Sequence, residues 1–400
     1  MMISRCGKWI LLLCLGIVSL PLAGCWDRKE INDLALVTAA GIDKTDEEMI
    51  ELSVQVFVPR SGGGGQLGQT GGTGSGPQSL VRSAAGKTVA EAMARLQERI
   101  PRTIFWGHTE VFIFGEATAK AGIREVVDFM LRFTQPRERA NMFVSKGEAK
   151  KIIELIPPLE RSQAEVLREL SNSKIGINVT VKQLAEMLIG DAGNAALPFL
   201  ELLPPSAGGG QQNTIAYITG TAVFRKDKMV GQISDQATRG LLWLRDETKY
   251  AVVTIAPKEA DGYVTFNLQR SKTELIPHIE DGRWSMTVKI KTEDDIAENT
   301  TRLNLMDPEL IQSLEKELEQ MVIQRVNMAL EKVQKEMKTD IFGFAEAFHR
   351  KYPHEWQRMK DGWDDKFPNV SVTVEAEAKI LRPGKSGPIV NLSKDEMLNP

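Results

Sequence analysis

The sequence predicts an α+β fold of several domains, with mixed sheets and helices and one long amphipathic helix near residues 307–340. Three observations predict it. The chain has 400 residues, too many for one small core when a domain usually takes about 100 to 200 residues. Stretches with apolar residues at every second position alternate with stretches at three- and four-residue spacing, the patterns of strands and helices. Hydrophobic residues make up 42% and charged residues 26% of the chain, the balance of a folded body rather than a disordered one. With 50 basic and 53 acidic residues the formal net charge is -3. That excludes a general polyanion binder, and no nucleic-acid partner is expected.

The first element is a leader at residues 1–24. Arg5 and Lys8 are its only charges, and an apolar run of 13 residues, 10–22, follows them. The run is shorter than the roughly 20 residues that a membrane-spanning helix needs. It ends in Leu22-Ala23-Gly24-Cys25. A basic start, an apolar middle and small residues at the cut are the parts of an export signal. Leu-Ala-Gly-Cys resembles the bacterial lipoprotein box, which is lipidated on the cysteine sulfur and cleaved before it. Cys25 is therefore the expected lipid-attachment site, carrying diacylglycerol in a thioether that binds the protein to the lipid membrane. Cys6 and Cys14 fall inside the leader, so Cys25 would be the one cysteine of the mature chain. Disulfides, a thiol nucleophile and a cysteine zinc site are then excluded. The body is expected on the extracytoplasmic side, held by several acyl chains.

A first α+β domain is expected over 25–158. Residues 34–41 are apolar, and 50–58 alternate with Leu52, Val54, Val56 and Val58 facing one way, so the two make a hairpin. Residues 61–76 hold nine glycines in 16 residues and only Leu67 as a large apolar side chain. Such a tract has little to bury and reads as a tolerant loop. It lacks the Gly-Lys-Ser/Thr end of a phosphate loop. A helix is expected over 83–100, with Val89, Ala92, Met93, Leu96 and Ile100 on one side and Pro101 as the stop. A strand at 103–114, one helix at 116–133, a strand at 140–144 and a short helix at 148–155 complete the domain.

Residues 159–212 are expected to form a small helical domain and linker. Its helices are 163–170 and 181–188, the second capped by Thr180. The linker is the PPSAGGGQQ stretch at 204–212. A second α+β domain is expected over 213–383. It holds strands at 215–224 and 229–233 around the turn Lys226-Asp227-Lys228, a helix at 236–244, and strands at 250–255, 263–270 and 284–292. The long helix over 307–340 follows, with the stripe Leu310, Leu314, Leu318, Met321, Val322, Val326, Ala329, Val333 and Met337. It would span about 50 Å at 1.5 Å per residue. The last strand is 370–380, and 384–400 reads as a flexible tail.

Catalytic chemistry is not legible. The histidines are His108, His278, His349 and His354. The last two are five apart with Pro353 between them, the wrong arrangement for a zinc helix. No Gly-x-Ser-x-Gly elbow occurs, and no Ser-x-x-Lys site with its companion motifs. Asp294-Asp295 is adjacent on one strand or turn, so its carboxylates diverge and a solvated pair is expected. The reading is therefore no enzyme, no cofactor and no metal.

Four blocks carry a resemblance. They are Cys25-Trp26-Asp27-Arg28-Lys29-Glu30-Ile31-Asn32-Asp33 with Gly41-Ile42-Asp43-Lys44; Val223-Phe224-Arg225-Lys226-Asp227-Lys228-Met229-Val230-Gly231; Thr238-Arg239-Gly240-Leu241-Leu242-Trp243-Leu244; and Asp340-Ile341-Phe342-Gly343-Phe344-Ala345-Glu346-Ala347-Phe348-His349-Arg350-Lys351-Tyr352-Pro353. The fourth continues through Trp356 and Trp363 to Phe367-Pro368. In this order they resemble the spore-germination lipoprotein family Ger(x)C, the C subunits of nutrient germinant receptors in spore-forming bacteria. The resemblance implies a multi-domain α+β body without a catalytic site. It implies two integral membrane receptor subunits as partners and a place on the outer face of the inner spore membrane. The implied work is nutrient-triggered germination, with assembly or signal coupling as this subunit's share. An extracytoplasmic solute-binding lipoprotein that itself holds the nutrient is the alternative, but the two halves do not read as repeated lobes. The expected interaction surface is Arg350, Lys351, Tyr352, Trp356 and Trp363, where aromatic and basic side chains mix as they do at interfaces.

Overall fold

The computed structural model describes Glu30 and residues 33–47, 49–57, 79–205 and 213–382. The leader, Cys25, the glycine tract and the tail lie outside the described residues.

Nine strands form the first sheet: β1 Leu34–Lys44, β2 Ile50–Phe57, β3 Ser79–Gly86, β4 Thr103–Phe105, β5 Val111–Gly115, β6 Asn141–Ser145, β7 Ala195–Leu202, β8 Ala216–Arg225 and β9 Lys228–Ser234. Their order is β3-β2-β1-β5-β6-β7-β8-β9, with β4 paired to the start of β1. The centre, β1-β5-β6-β7, is parallel, and an antiparallel pair extends it at each end. Central strands such as VFIFG and NMFVS are nearly all apolar because helices cover both of their faces. On one face lie α1 Val89–Glu98, α2 Glu116–Ala121 and α3 Arg124–Arg132. Their Leu96, Ala119 and Val126 pack with Ile42, Val54, Phe112 and Phe114. On the other face lie α4 Ala149–Ile153 and α5 Gln163–Asn172, whose Ile152 and Leu167 pack with Val111, Ile113 and Phe143. The helix α6 Val181–Ile189 returns to the first face through Leu184. Thr180 caps it in a reciprocal box with Gln183.

Three expectations are corrected here. The helix expected over 83–100 begins only after Thr88, whose hydroxyl accepts the Glu91 N–H. Residues 79–86 pair along β2 instead, so tertiary pairing overrides a weak helical stripe. The single helix expected over 116–133 is two, broken at Gly122, whose φ of +130° no helix accommodates. Residues 195–202, within the segment expected as a small helical domain and linker, are a strand of the sheet. Beyond residue 213, β8 and β9 continue that same sheet. The 159–212 segment therefore packs into the first sheet, and a border at 212/213 cuts through one hydrogen-bonded array.

The second sheet has the order β10-β11-β12-β13, from β10 Val252–Ile255, β11 Val264–Glu280, β12 Arg283–Asn299 and β13 Ser371–Arg382. β11 and β12 have 17 residues each, far longer than the alternation suggested. Their turn is Asp281-Gly282, with φ of 49° and 76°, the two left-handed residues that match the twist of a two-residue hairpin. The sheet's outer face is polar, with Lys289 and Lys291 opposite Glu375 and Glu377 at 3.5 and 2.8 Å.

Two helices join the sheets. The helix α7 Asp235–Leu244 follows β9, and α8 Pro308–Ala329 continues into a π-helical turn, Leu330–Glu336. The long helix ends short of the expected 340, because Lys338 turns left-handed at φ 51°. Its first half buries Leu310, Leu314 and Leu318 against Phe266, Ile296 and Ile380 of the second sheet. Its second half buries Val322, Val326 and Val333 in the core of the first sheet, with Leu241 of α7. One apolar stripe thus closes two cores. The same helix protects an edge. Glu315 and Glu319 accept the backbone N–H groups of Ile380 and Ala378 on β13 at 2.9 and 3.2 Å. Edge groups satisfied in this way offer no template to another chain.

Asp294 corrects the expectation of a solvated pair. It faces inward on β12 and is 2% exposed, with the Thr292 hydroxyl donating to it at 2.6 Å. Burial pushes its pKa up to about 6. A carboxyl whose folded pKa is raised holds its proton more tightly in the folded state. Its stabilising contribution is full below the ordinary value of 3.8 and is lost as pH rises through about 6. Asp294→Asn should remove this slope. Denaturant titrations between about pH 4 and pH 7 should show the wild type losing stability relative to the variant. A difference between the two that stays flat with pH would contradict the assignment.

Candidate functional site

The segment after α8 is built on a buried carboxylate. Asp340 lies within the core, and its Oδ1 accepts the N–H groups of Phe342 at 3.1 Å and Phe344 at 3.4 Å. Its Oδ2 accepts the N–H of Ala345 at 2.8 Å and the indole N–H of Trp363 at 3.0 Å. Two of the backbone donors, Phe344 and Ala345, open α9 Phe344–Lys351, and Phe342 immediately precedes its cap position, Gly343, which has no side chain to offer. Asp340 does the capping from three residues upstream. Gly343 sits at φ +86°, which lets the chain fold back over the carboxylate. Burial raises the Asp340 pKa to about 6, and nearby Glu346 adds to the rise while the donors oppose it. Asp43, in the first block of the resemblance, works alike. It is buried and accepts the Ala149 and Lys150 N–H groups at 2.7 and 2.9 Å, capping α4.

Two further short helices follow, α10 Pro353–Met359 and α11 Trp363–Lys366. Around them an aromatic cluster ties the segment to the second sheet. Trp284 of β12 lies 4.6 Å from Phe348 and 6.0 Å from Trp363 between ring centroids. Trp356 meets Trp363 at 5.1 Å, and Phe367 meets Trp363 at 6.0 Å. Trp356 and Trp363 are 1% and 2% exposed, so they are removed from the expected interaction surface. Their indoles fill the core, and the one N–H of Trp363 is spent on Asp340. The sequence did carry the signal: Phe344, Phe348, Trp356, Trp363 and Phe367 recur at multiples of helical spacing and read as one buried stripe.

What remains outside is polar. Arg350 is exposed, and Tyr352 is half-buried. Lys351 reaches across to the Pro277 carbonyl at 2.9 Å and lies 5.4 Å from the Tyr352 ring. His349 stacks on Trp356 and holds the Asp191 carboxylate at 2.8 Å, linking α9 to the loop after α6. Arg358 and Lys360 continue the exposed ridge, with Glu355 and Asp361 beside them. The segment is therefore a rigid interior with a basic outer ridge. Among the described residues no cluster of His, Cys, Asp and Glu is placed to hold a metal ion. Among them, too, no helix is long and apolar enough to cross a membrane.

The segment thus presents a charged ridge over a locked core. Residues 27–202 match the family model "Spore germination protein N-terminal domain", and 219–384 match "Spore germination B3/ GerAC like, C-terminal". The chain belongs to the Ger(x)C family of spore germination proteins. It is 27% identical to spore germination protein KC of Bacillus subtilis (strain 168), over 99% of this chain and 100% of that protein. It is 25% identical to spore germination protein A3 of the same organism, over 94% and 99%. The crystal structure of the GerBC protein has the same fold, with a TM-score of 0.56, 19% identity, and coverage of 86% of this chain and 96% of that one. The α+β architecture expected from the sequence is the fold observed.

Proposed function

We propose that this protein is a non-enzymatic, lipid-anchored component of a spore nutrient germinant receptor. It acts with two integral membrane subunits in nutrient-triggered germination, through complex assembly or signal coupling, on the outer face of the inner spore membrane. The observation that carries this reading is the end-to-end match to a Bacillus subtilis germination protein, over 99% of this chain and 100% of the relative.

The docking surface in this reading is the ridge of Arg350, Lys351 and Arg358 beside Tyr352, set against an acidic surface on a membrane partner. Arg350→Glu with Arg358→Glu should leave the melting of the chain within about 0.5 kcal/mol of wild type, as exposed substitutions do. Recovery of the two membrane subunits with the tagged protein from dormant-spore membranes should fall, and germination with it. Full recovery of both subunits alongside an unchanged melt would reject the ridge as the docking site.

Cys25 carries the anchor. Cys25→Ala should abolish incorporation of radioactive palmitate and release the protein from the membrane fraction. Equal label in wild type and variant would refute the anchor and leave the ridge prediction standing.

A further inference from the structure

A groove of about 520 Å³ runs along the first two turns of α8 and the loop before them. Leu305, Met306, Pro308 and Ile311 give it an apolar lining, and Glu309 and Glu315 an acidic one. Leu305 and Ile311 rest on the core of the second sheet, while Met306 is 63% exposed. The Glu309 carboxylate makes no hydrogen bond or ion pair among the described residues. Glu315 accepts the Ile380 backbone N–H at 2.9 Å and has no cation beside it among them. Two carboxylates therefore border an apolar groove without a matching positive charge. An apolar segment that carries cations would answer both features.

The chain itself brings such a segment to the groove. The bond from Ile380 to Glu315 fixes the end of β13 beside it, and β13 ends at Arg382. Eighteen residues follow, 383–400. Their most apolar stretch is Pro388-Ile389-Val390-Asn391-Leu392, with Lys385 before it and Lys394 after it. No acidic residue occurs from 383 to 394. Ile389 stands seven residues beyond Arg382, a reach of up to about 23 Å. The first two turns of α8 measure about 11 Å. The stretch can therefore lie over the groove without displacing β13. Its apolar content, the sign of its charge and its reach all select it as the occupant.

We propose that residues 388–392 seat in this groove, with Ile389 and Leu392 against Met306 and Ile311 and the two lysines toward Glu309 and Glu315. Seated there, the segment straps the end of β13 to the start of α8 and covers apolar surface that the second core leaves open. A short tether gives it an effective concentration of about 1 mM. An intrinsic Kd of about 0.1 mM then keeps it seated about ten to one. The inference does not rest on receptor membership.

The test uses the full chain in detergent micelles. Hydrogen exchange over residues 305–315 is followed by mass spectrometry in the wild type and in Ile389→Asp with Leu392→Asp. These amides should exchange about tenfold faster in the variant, the ratio of seated to free segment. A synthetic peptide of residues 383–400 should bind the variant with a Kd of about 0.1 mM and restore slow exchange. Adding Met306→Lys removes an exposed apolar contact and repels the lysines, and it should weaken peptide binding at least about tenfold. Equal exchange in wild type and variant would overturn the proposal, as would peptide binding that Met306→Lys leaves unchanged. Slow wild-type exchange that is lost on dilution would put a second copy in the groove and overturn it too. Recovery of the membrane subunits enters none of these readouts, so the receptor reading stands or falls separately.

Discussion

Asp340→Ala should cost at least about 4 kcal/mol, enough to unfold much of the population of a domain whose total stability is about 5 to 15 kcal/mol. The reason is the number of groups it would orphan. The carboxylate answers three backbone N–H groups and one indole N–H, all in the interior. Without it, each is left buried and unpaired at about 1 kcal/mol or more. The start of α9 loses its cap, and Trp363 loses the partner that orients it in the aromatic cluster. Asp340→Asn is the informative comparison. It keeps the volume and one acceptor, but its amide hydrogens point at the donors on the other side, so it should fall between wild type and Ala. Guanidinium titration of the full chain gives the answer in the shift of its midpoint. A loss below about 1 kcal/mol for Ala would mean that water replaces the carboxylate, and the capping role would be wrong.

The second large effect is expected at Gly240, where α7 crosses α8. A Cβ there would lie 2.0 Å from the Arg325 carbonyl oxygen and 3.0 Å from the Ala329 Cβ. The obstacle is backbone, so no rotamer relieves it, and the two helices must part. Because α8 closes both cores, a shift there disturbs the packing of both sheets. Gly240→Ala should therefore destabilise by about 3 kcal/mol, the upper end for overpacking a core. Gly282→Ala is the control. Nothing lies within 4 Å of a Cβ at Gly282, and only its φ of +76° is unfavourable, so about 1 kcal/mol is expected. Equal losses at the two positions would show that helix crossing is not what Gly240 provides.

Several elements were legible before the fold was known, each through a local period. The stripe of the long helix is an example: Leu310, Leu314, Leu318, Val322 and Val326 all proved buried. Thr180 was legible as a cap because capping involves neighbours three residues apart. The failures share a different character. Residues 195–202 fell inside the expected small helical domain and linker, and their sequence AALPFLEL has no alternation to mark a strand. It needs none, since its inward and outward faces are both covered. Asp294 read as solvated because adjacent carboxylates diverge along a strand; they do diverge, but Asp294 is the one turned into the core while Asp295 is half-buried. The tryptophans read as a surface because Arg350, Lys351 and Arg358 lie close to them in sequence. On a helix those basic residues project from the opposite face.

The sequence by itself determined the α+β class, the apolar seam of the long helix and the ordered motifs that identify the family. These are properties of composition and of spacing within a few residues, and no partner strand is needed to see them. The tertiary structure decided which strands share a sheet, which aromatic side chains are interior, and that the groove at the start of α8 opens beside the end of β13. It also decided that a single aspartate caps α9 and anchors Trp363 at once. The physical reason is that burial and hydrogen-bond satisfaction depend on whatever the rest of the chain places against a residue. Periodicity shows which face of an element is apolar; only packing shows what meets it.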